Sequence, residues 1–429
     1  MAGKLQVALD FINLKRALKV AAEAVEGGAD ILEAGTPLIK SEGLDAVRAL
    51  RQRFPQLPVV ADMKIMDVGR LEVEIASKAG ASFAVVMGAA DESTIRECIE
   101  AGRNFGIGVG VDTLGVADAP AFAGRIQDLG ADFLAVHIPI DAQMSGKDPL
   151  DLVRAVRKSA PDITLAAAGG IHSESAAGVV AAGADVVIVG GAITKSQDAR
   201  EATAAIKRAM ETGEAVETSL YKRVDAAGLA ETFLKVSTPN VSDAMHREPC
   251  LEGIRPVTPG ARCAGPACCV RSFPGDWAKP VEAIEHCQAG EVLVIEAGGV
   301  APALWGELAT ESAVNRKIAG VVIDGAIRDV PDIRRLAFPA FARIISSEAG
   351  EPKGLGEIGV PVKLSGRRIE PGDWIVGDDN GVMAVPRRRA VEIANRAMGV
   401  LELENRLRAE IRAASTLSEV MELLRWEKK

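Results

Sequence analysis

The first half of this chain predicts a (β/α)8 barrel, a TIM barrel, and the second half a separate α/β layered domain. Three observations carry that fold class. Short apolar runs alternate with amphipathic segments eight times up to about residue 211. Four of the runs are introduced by the same kind of turn, Gly-Ala-Asp or Gly-Ala-Ser. The rhythm then stops near Met210, and Gly/Pro-rich turns take over.

The runs are residues 5–10, 30–35, 58–64, 82–88, 106–112, 132–137, 163–170 and 185–191. The turns begin at Gly28, Gly80, Gly130 and Gly183. Glycine there closes a helix and releases the chain into the next strand. Strands that alternate with helices are parallel and joined by right-handed crossovers, and eight of them close a barrel. Residues 212–217 are small and charged, and 212–224 read as a linker. Residues 225–390 form the second domain, opening with a helix around 221–235. Its strands are separated by turns such as Pro259-Gly260 and Pro371-Gly372. Residues 391–429 are a helical tail, with Leu401, Leu403, Leu407, Ile411 and Leu424 on an apolar stripe suited to packing or oligomerisation.

With 48% hydrophobic residues, two cores are feasible, and 3% aromatics suits helices packed closely on a parallel sheet. A net charge of −9 argues against nucleic acid as a partner, so an anionic ligand must be held by local groups. No apolar run is long enough to span a membrane, and the start runs straight into a strand. The expected location is the cytoplasm. The six cysteines show no C-x-x-C spacing and are expected as reduced thiols.

Catalytic groups in such a barrel stand at the C-terminal ends of the strands. Here those ends carry Asp10, Glu33, Asp62, Lys64 and His137. Asp62 and Lys64 are two apart on one strand, so both should point into the mouth. Asp67 follows in the loop. An ammonium between carboxylates stays charged and can stabilise a developing enolate oxygen. Glu33 and Asp62 form an oxygen-donor pair for a hard divalent cation, Mg²⁺ or Mn²⁺. Such an ion would polarise a substrate carbonyl and hold an enediolate. His137 is the natural proton shuttle near neutral pH. After the last two strands, Gly169-Gly170 and Gly190-Gly191 let backbone N–H groups approach a phosphate.

Residues of about 1–210 resemble 3-hexulose-6-phosphate synthases, of the orotidine-monophosphate-decarboxylase suprafamily. The stretches that match are Val7-Ala-Leu-Asp10, Glu33-Ala-Gly-Thr-Pro-Leu-Ile-Lys40, Ala61-Asp-Met-Lys-Ile-Met-Asp67, Val136-His137 with Asp141 and Gln143, Ala168-Gly-Gly-Ile171 and Ile188-Val-Gly-Gly-Ala192. The resemblance implies an aldehyde-lyase that joins D-ribulose 5-phosphate and formaldehyde, or runs in reverse, as in a ribulose monophosphate pathway. It implies Glu33 and Asp62 as metal ligands, and His137 as the base at the ribulose carbon. Lys64 and Asp10 would hold substrate hydroxyl and enediolate oxygens, and Asp67 would reach a neighbouring subunit's site. Ile138-Pro139 depart from the Thr-Gly usual after that histidine. Two relatives compete. Orotidine-monophosphate decarboxylase carries lysine where Glu33 stands. 3-Keto-L-gulonate-6-phosphate decarboxylase shares the metal site but uses a basic residue in the loop after the histidine, and residues 137–141 contain no other basic residue.

In the second half, an apolar run ends in Arg328-Asp329, and Trp305-Gly-Glu-Leu-Ala309 closes a glycine-rich turn that starts at Gly298-Gly299. Arginine suits a carboxylate, aspartate suits a metal, and N–H groups at the turn suit an oxyanion, together a grip for a 2-oxo acid. Residues of about 225–390 resemble the ribonuclease-activity-regulator-A and 4-hydroxy-4-methyl-2-oxoglutarate aldolase family. That resemblance rests on Val241-Ser-Asp-Ala244, Ile323-Asp-Gly-Ala-Ile-Arg-Asp329, Phe338-Pro-Ala-Phe-Ala-Arg343 and Asp378-Asp-Asn-Gly-Val382. It implies Arg328 on a pyruvyl carboxylate, Asp329 on the metal, and a site completed by Glu307, Leu308 and Ala309. The domain is then either a second catalytic unit of a bifunctional chain or a non-catalytic protein-binding or assembly module. The two families form dimers and trimers respectively, so a homo-oligomer, possible as a hexamer, is expected.

Overall fold

A computed structural model describes residues 3–144, 149–218, 223–413 and 415–421. The side chains of Ile140 and Asp141 lie outside that description, as do residues 219–222 of the expected linker and 422–429 of the expected tail, Leu424 included. The chain divides into two compact units, 1–221 with 402–429, and 222–401.

The first unit is the expected barrel. Its eight strands are β1 (Lys4–Leu9), β2 (Ile31–Ala34), β3 (Val59–Ile65), β4 (Phe83–Met87), β5 (Gly108–Asp112), β6 (Phe133–His137), β7 (Thr164–Ala168) and β8 (Val186–Val189). They pair in parallel and in sequence order, and β8 closes on β1. Side chains alternate across the wall. Leu5, Val7 and Leu9 pack outward among the helices, whereas Ala8, Ile31, Val60, Phe133, Ala135 and Ala166 fill the interior. On β5 the positions that share the Asp112 face are Gly108 and Gly110. A Cβ at Gly108 would overlap the Phe83 ring, and one at Gly110 the Phe133 ring. Those two rings, from the strands on either side of β5, meet edge to face over it, 5.7 Å between centroids. Small residues on β5 therefore make room for large ones on its neighbours.

The repeated turns close the opposite, N-terminal rim. Asp30, Asp132 and Asp185 each accept the amide of the second residue of a neighbouring strand, from Leu5 (2.7 Å), Val109 (2.7 Å) and Leu165 (2.8 Å). Ser82 likewise accepts the amide of Val59, the first residue of β3, at 3.2 Å. Two arginines lock alternate corners in the same way. Arg51 binds the Gly80 carbonyl and Ser82, and Arg157 binds the Gly183 carbonyl and Asp185. Arg157 also reaches the carbonyls of Ala160, Pro161 and Ile163. Because this rim is remote from the mouth, it governs stability rather than catalysis. Arg157→Ala should cost about 2 kcal/mol, lowering the barrel's thermal midpoint by roughly 5 °C without changing activity per folded molecule. Thermal denaturation followed by circular dichroism, with activity on the same sample, checks this.

The second unit is a mixed sheet. It contains β9 (Arg255–Pro256), β10 (Cys263–Arg271), β11 (Val292–Glu296), β12 (Ala303–Trp305), β13 (Gly320–Ile327), β14 (Ala340–Ile345), β15 (Glu357–Ile358), β18 (Trp374–Asp378) and β19 (Gly381–Val385), while β16 (Val362–Leu364) and β17 (Arg367–Ile369) form a separate hairpin. Strands β10, β11, β13 and β14 are parallel, β9 and β18 pair antiparallel to β14 and β10 at the flanks, and β19 pairs antiparallel to β18. All eight residues of β13 are buried. The helix expected at 221–235 is realised as a 3-10 turn, Ala226–Gly228, and the helix Leu229–Lys235. Cys268 and Cys287 are joined in a disulfide, so the expectation of six free thiols is corrected. The sheet and the C-terminus of the helix Ala278–His286 place these two cysteines' Cα atoms 5.8 Å apart, within bonding reach. The tail is helical over Ala390–Arg412 and Leu417–Met421. No described helix is long and apolar enough to cross a membrane.

Candidate active site

At the barrel mouth the inward positions turn from apolar to charged: Ile31 to Glu33 on β2, Val60 to Asp62 on β3, Ala135 to His137 on β6. Glu33 and Asp62 are both buried. Lys64 Nζ lies 3.0 and 2.9 Å from the two Asp62 carboxylate oxygens, so the expected pair is present. Strand alternation alone does not produce it. The register of β3 shifts between Ala61 and Ile65, and Lys64 takes a left-handed φ of 51°. A bulge with a strained non-glycine residue thus re-aims the lysine into the mouth.

The structure adds a residue that was not singled out from the sequence. Asp112 Oδ2 lies 2.8 Å from Lys64 Nζ and 2.9 Å from His137 Nδ1. Asp112 is buried and joins the lysine to the histidine. Burial alone would raise its carboxyl. The hydrogen bond from His137 and the charges of His137 and Lys64 outweigh that and hold it down at about 2. A carboxylate can only accept, so His137 Nδ1 carries the proton and Nε2 is left to receive one. The signal for Asp112 was in the sequence: it follows Gly108 and Gly110 on the inward face of β5 and ends the strand, as Asp62 and His137 do on theirs.

Burial pushes Glu33 up to about 8, reinforced by the charges of Asp62 and Asp10 and opposed by Gln6 and Lys64. The Gln6 amide donates to Glu33 Oε2 at 2.5 Å from one layer deeper in the barrel. For Lys64, burial acts downward, but Asp62 and Asp112 lift it well above its ordinary value. Thr36 donates to Asp62 Oδ2 at 2.8 Å. Asp10 stands between two glycines: a Cβ at Gly35 would overlap its carboxylate, and one at Gly190 would lie 3.3 Å from it. Gly169 and Gly170 have φ of 115° and 70°, and a Cβ at Gly169 would come within 2.7 Å of the Ile138 carbonyl. Glycine is required there because the β7 loop passes close under the loop after His137. Asp67 does not join this cluster. It is exposed, and its carboxylate accepts the Val68 N–H at 2.7 Å.

The donor set fits a hard divalent cation. Asp10, Glu33 and Asp62 crowd negative charge around one ammonium, and an oxygen-only set suits Mg²⁺ or Mn²⁺. No three carboxylate or histidine ligand atoms of the described mouth residues lie within 4.8 Å of one another. Glu33 and Asp62 would hold such an ion, and Mg²⁺ usually keeps water or substrate among its ligands beside one or two protein carboxylates.

In the second unit the structure brings Glu307, Arg328 and Asp329 together. Asp329 has a φ of 56° at the start of the helix Val330–Arg335. Its Oδ2 accepts the Glu307 N–H at 3.1 Å and lies 3.5 Å from Arg328 Nε. Leu308 is largely exposed, and Ala309 packs against the core.

Residues 3–206 match the model of the family described as orotidine 5'-phosphate decarboxylase / HUMPS. The 3-hexulose-6-phosphate synthase of Bacillus subtilis is 38% identical over 205 residues, which is 48% of this chain and 97% of that protein. The chain belongs to the orotidine 5'-phosphate decarboxylase / HUMPS family. The synthase of Mycobacterium gastri is 39% identical over 208 residues, 48% of this chain and 99% of that relative. The crystal structure of 3-hexulose-6-phosphate synthase from Salmonella typhimurium is 37% identical, covers 49% of this chain and all of that one, and has a TM-score of 0.48. Within this family the barrel is a lyase. Residues 238–384 match the RraA-like family, described as Aldolase/RraA. Both resemblances and both fold expectations therefore hold.

Proposed function

We propose that the barrel joins D-ribulose 5-phosphate and formaldehyde into 3-hexulose 6-phosphate, or cleaves that product. The observation that carries this is the chain Asp62–Lys64–Asp112–His137, which couples a proton acceptor to an oxyanion-stabilising cation. Relatives at 38–39% identity bear the name of that synthase. His137 Nε2 takes a proton from C1 of the ribulose phosphate, and Asp112 balances the imidazolium that results. Lys64 donates to the enediolate oxygen as charge develops. C1 of the enediolate then attacks formaldehyde, and the new alkoxide is protonated. Glu33 and Asp62 would hold Mg²⁺ or Mn²⁺, which supplies polarisation of the ketone when bound. The backbone N–H groups of Gly169, Gly170, Gly190 and Gly191 receive the phosphate. Ile138 and Pro139 offer no cation to a decarboxylated intermediate, which favours this reaction over the gulonate-phosphate decarboxylation.

Formaldehyde consumption with ribulose 5-phosphate and Mg²⁺ tests the reading. It should be metal-dependent in the wild type and fall by about a thousandfold in Asp62→Ala. Folded, metal-loaded wild type that consumes none would refute it.

The barrel is suited to dimerisation through the surface around Asp67, where the sequence neighbours Met66, Val68 and Leu71 are exposed apolar side chains. Asp67 would then serve a second copy's mouth. For the second unit, Arg328, Asp329 and the turn at Glu307 support a metal-assisted 2-oxo-acid site. Oxaloacetate decarboxylation that is lost in both Arg328→Ala and Asp329→Ala is the expected result. Activity unaffected by either change would instead favour a binding or assembly role.

A further inference from the structure

The tail returns to the barrel. Residues from Glu402 onward group with the first unit, and Arg406 on the helix Ala390–Arg412 is only 2% exposed there. A fully charged arginine is rarely buried without several acceptors. Its Nη1 donates to the Ser196 carbonyl at 2.6 Å, its Nη2 to Glu23 at 3.0 Å, and its Nε to Glu410 at 3.0 Å. Ser196 follows the single helical turn Gly191–Thr194, whose N-cap is Gly190, and its N–H bonds back to the Ile193 carbonyl. Gly190 in turn packs against the Asp10 carboxylate at the mouth. One guanidinium thus ties the helix Leu14–Glu26, the loop after β8 and the tail into one hydrogen-bonded unit. Arg16, on that first helix, is drawn into the same cluster, with Nη2 3.8 Å from Glu410. The family match ends at residue 206, so Arg406 lies outside the length that resembles the synthases.

We infer that Arg406 is a positioning residue for the loop after β8, which holds Gly190 and Gly191 in place to receive the substrate phosphate. The inference rests on the proposed phosphate role of that loop. Without the guanidinium the Ser196 carbonyl and Glu23 lose their partner, and the loop must be ordered at the cost of substrate binding. The chemistry at His137 is untouched, so affinity should suffer rather than turnover.

The test uses the full chain with three substitutions: Arg406→Gln, Arg406→Lys and Arg408→Gln. Arg408 lies two residues on, is half-exposed and pairs with Glu404. Arg406→Gln should raise KM for ribulose 5-phosphate about tenfold and weaken inhibition by inorganic phosphate by the same factor, with kcat within about twofold. Arg406→Lys, which keeps the charge but loses the planar fork, should fall between it and the wild type. Arg408→Gln should match the wild type. If Arg406→Gln does not fold, Arg406→Lys decides by the same measures. Unchanged KM and phosphate inhibition in a folded Arg406 variant would overturn the inference, as would a fall in kcat alone. Should the wild type show no turnover with formaldehyde, the proposed reaction fails separately. Calorimetric titration with inorganic phosphate then decides this point: weaker binding in the Arg406 variant supports it, and equal or absent binding in both proteins overturns it.

Discussion

Asp112→Asn should lower kcat for formaldehyde addition by about a thousandfold, with little change in KM. Asparagine is nearly the same shape, so the barrel should fold as before. Its amide, however, carries donors as well as an acceptor. Turned toward His137, the –NH2 group would require Nδ1 to accept and would move the imidazole proton to Nε2. The histidine would then face the substrate with a donor where a base is needed. The substitution also leaves Lys64 with Asp62 as its carboxylate partner, and the imidazolium formed on proton transfer loses its counter-charge. Steady-state rates at saturating ribulose 5-phosphate measure the effect. A variant within tenfold of the wild type would show that Asp112 only packs the mouth.

Glu33→Gln should abolish metal-dependent turnover and yet make the metal-free protein more stable at alkaline pH. Glu33 is buried beside Asp62 and Asp10, and its carboxyl is raised from 4.5 to about 8. The sign follows from linkage. A carboxyl raised on folding binds its proton more tightly in the folded state, so the stability it contributes is complete below 4.5 and is lost as pH rises through about 8. Above that pH the metal-free wild type holds an uncompensated buried charge, which glutamine removes. Thermal midpoints in EDTA should therefore cross: similar for the two proteins near pH 5, and several degrees higher for Glu33→Gln above pH 8. Adding Mg²⁺ should stabilise the wild type and leave the variant unchanged, because a ligand that binds only the folded state raises its stability. Full activity of Glu33→Gln in EDTA would remove the metal from the account.

How much of this was legible in the sequence differs from residue to residue, for physical reasons. The barrel was legible because its punctuation is chemical: Asp30, Asp132 and Asp185 follow glycine turns and accept an amide near the start of a neighbouring strand, so spacing and function of the turn coincide. Glu33, Asp62 and His137 were legible because an inward position that turns from apolar to charged breaks the strand pattern. Asp112 obeyed the same rule, but it follows two glycines, and without apolar neighbours on its face the change of character is weak. The meeting of Lys64 with Asp62 was foreseen for an incomplete reason, since a bulge at φ 51° cannot be read from alternation. Cys268 and Cys287 gave no local signal: they stand 19 positions apart, and it is the packing of a helix end on a strand that brings them together. The burial of Arg406 was equally hidden. An apolar stripe shows that a helix will dock, not which surface it will meet.

The central claim is that the mouth converts ribulose 5-phosphate to its enediolate with His137 as the base. The most direct measurement is proton NMR of ribulose 5-phosphate in D₂O with Mg²⁺-loaded protein and no formaldehyde. The account predicts that one of the two C1 protons is replaced by deuterium, and that Asp112→Asn slows the replacement in step with its loss of turnover. Substrate that binds but keeps both C1 protons would contradict it.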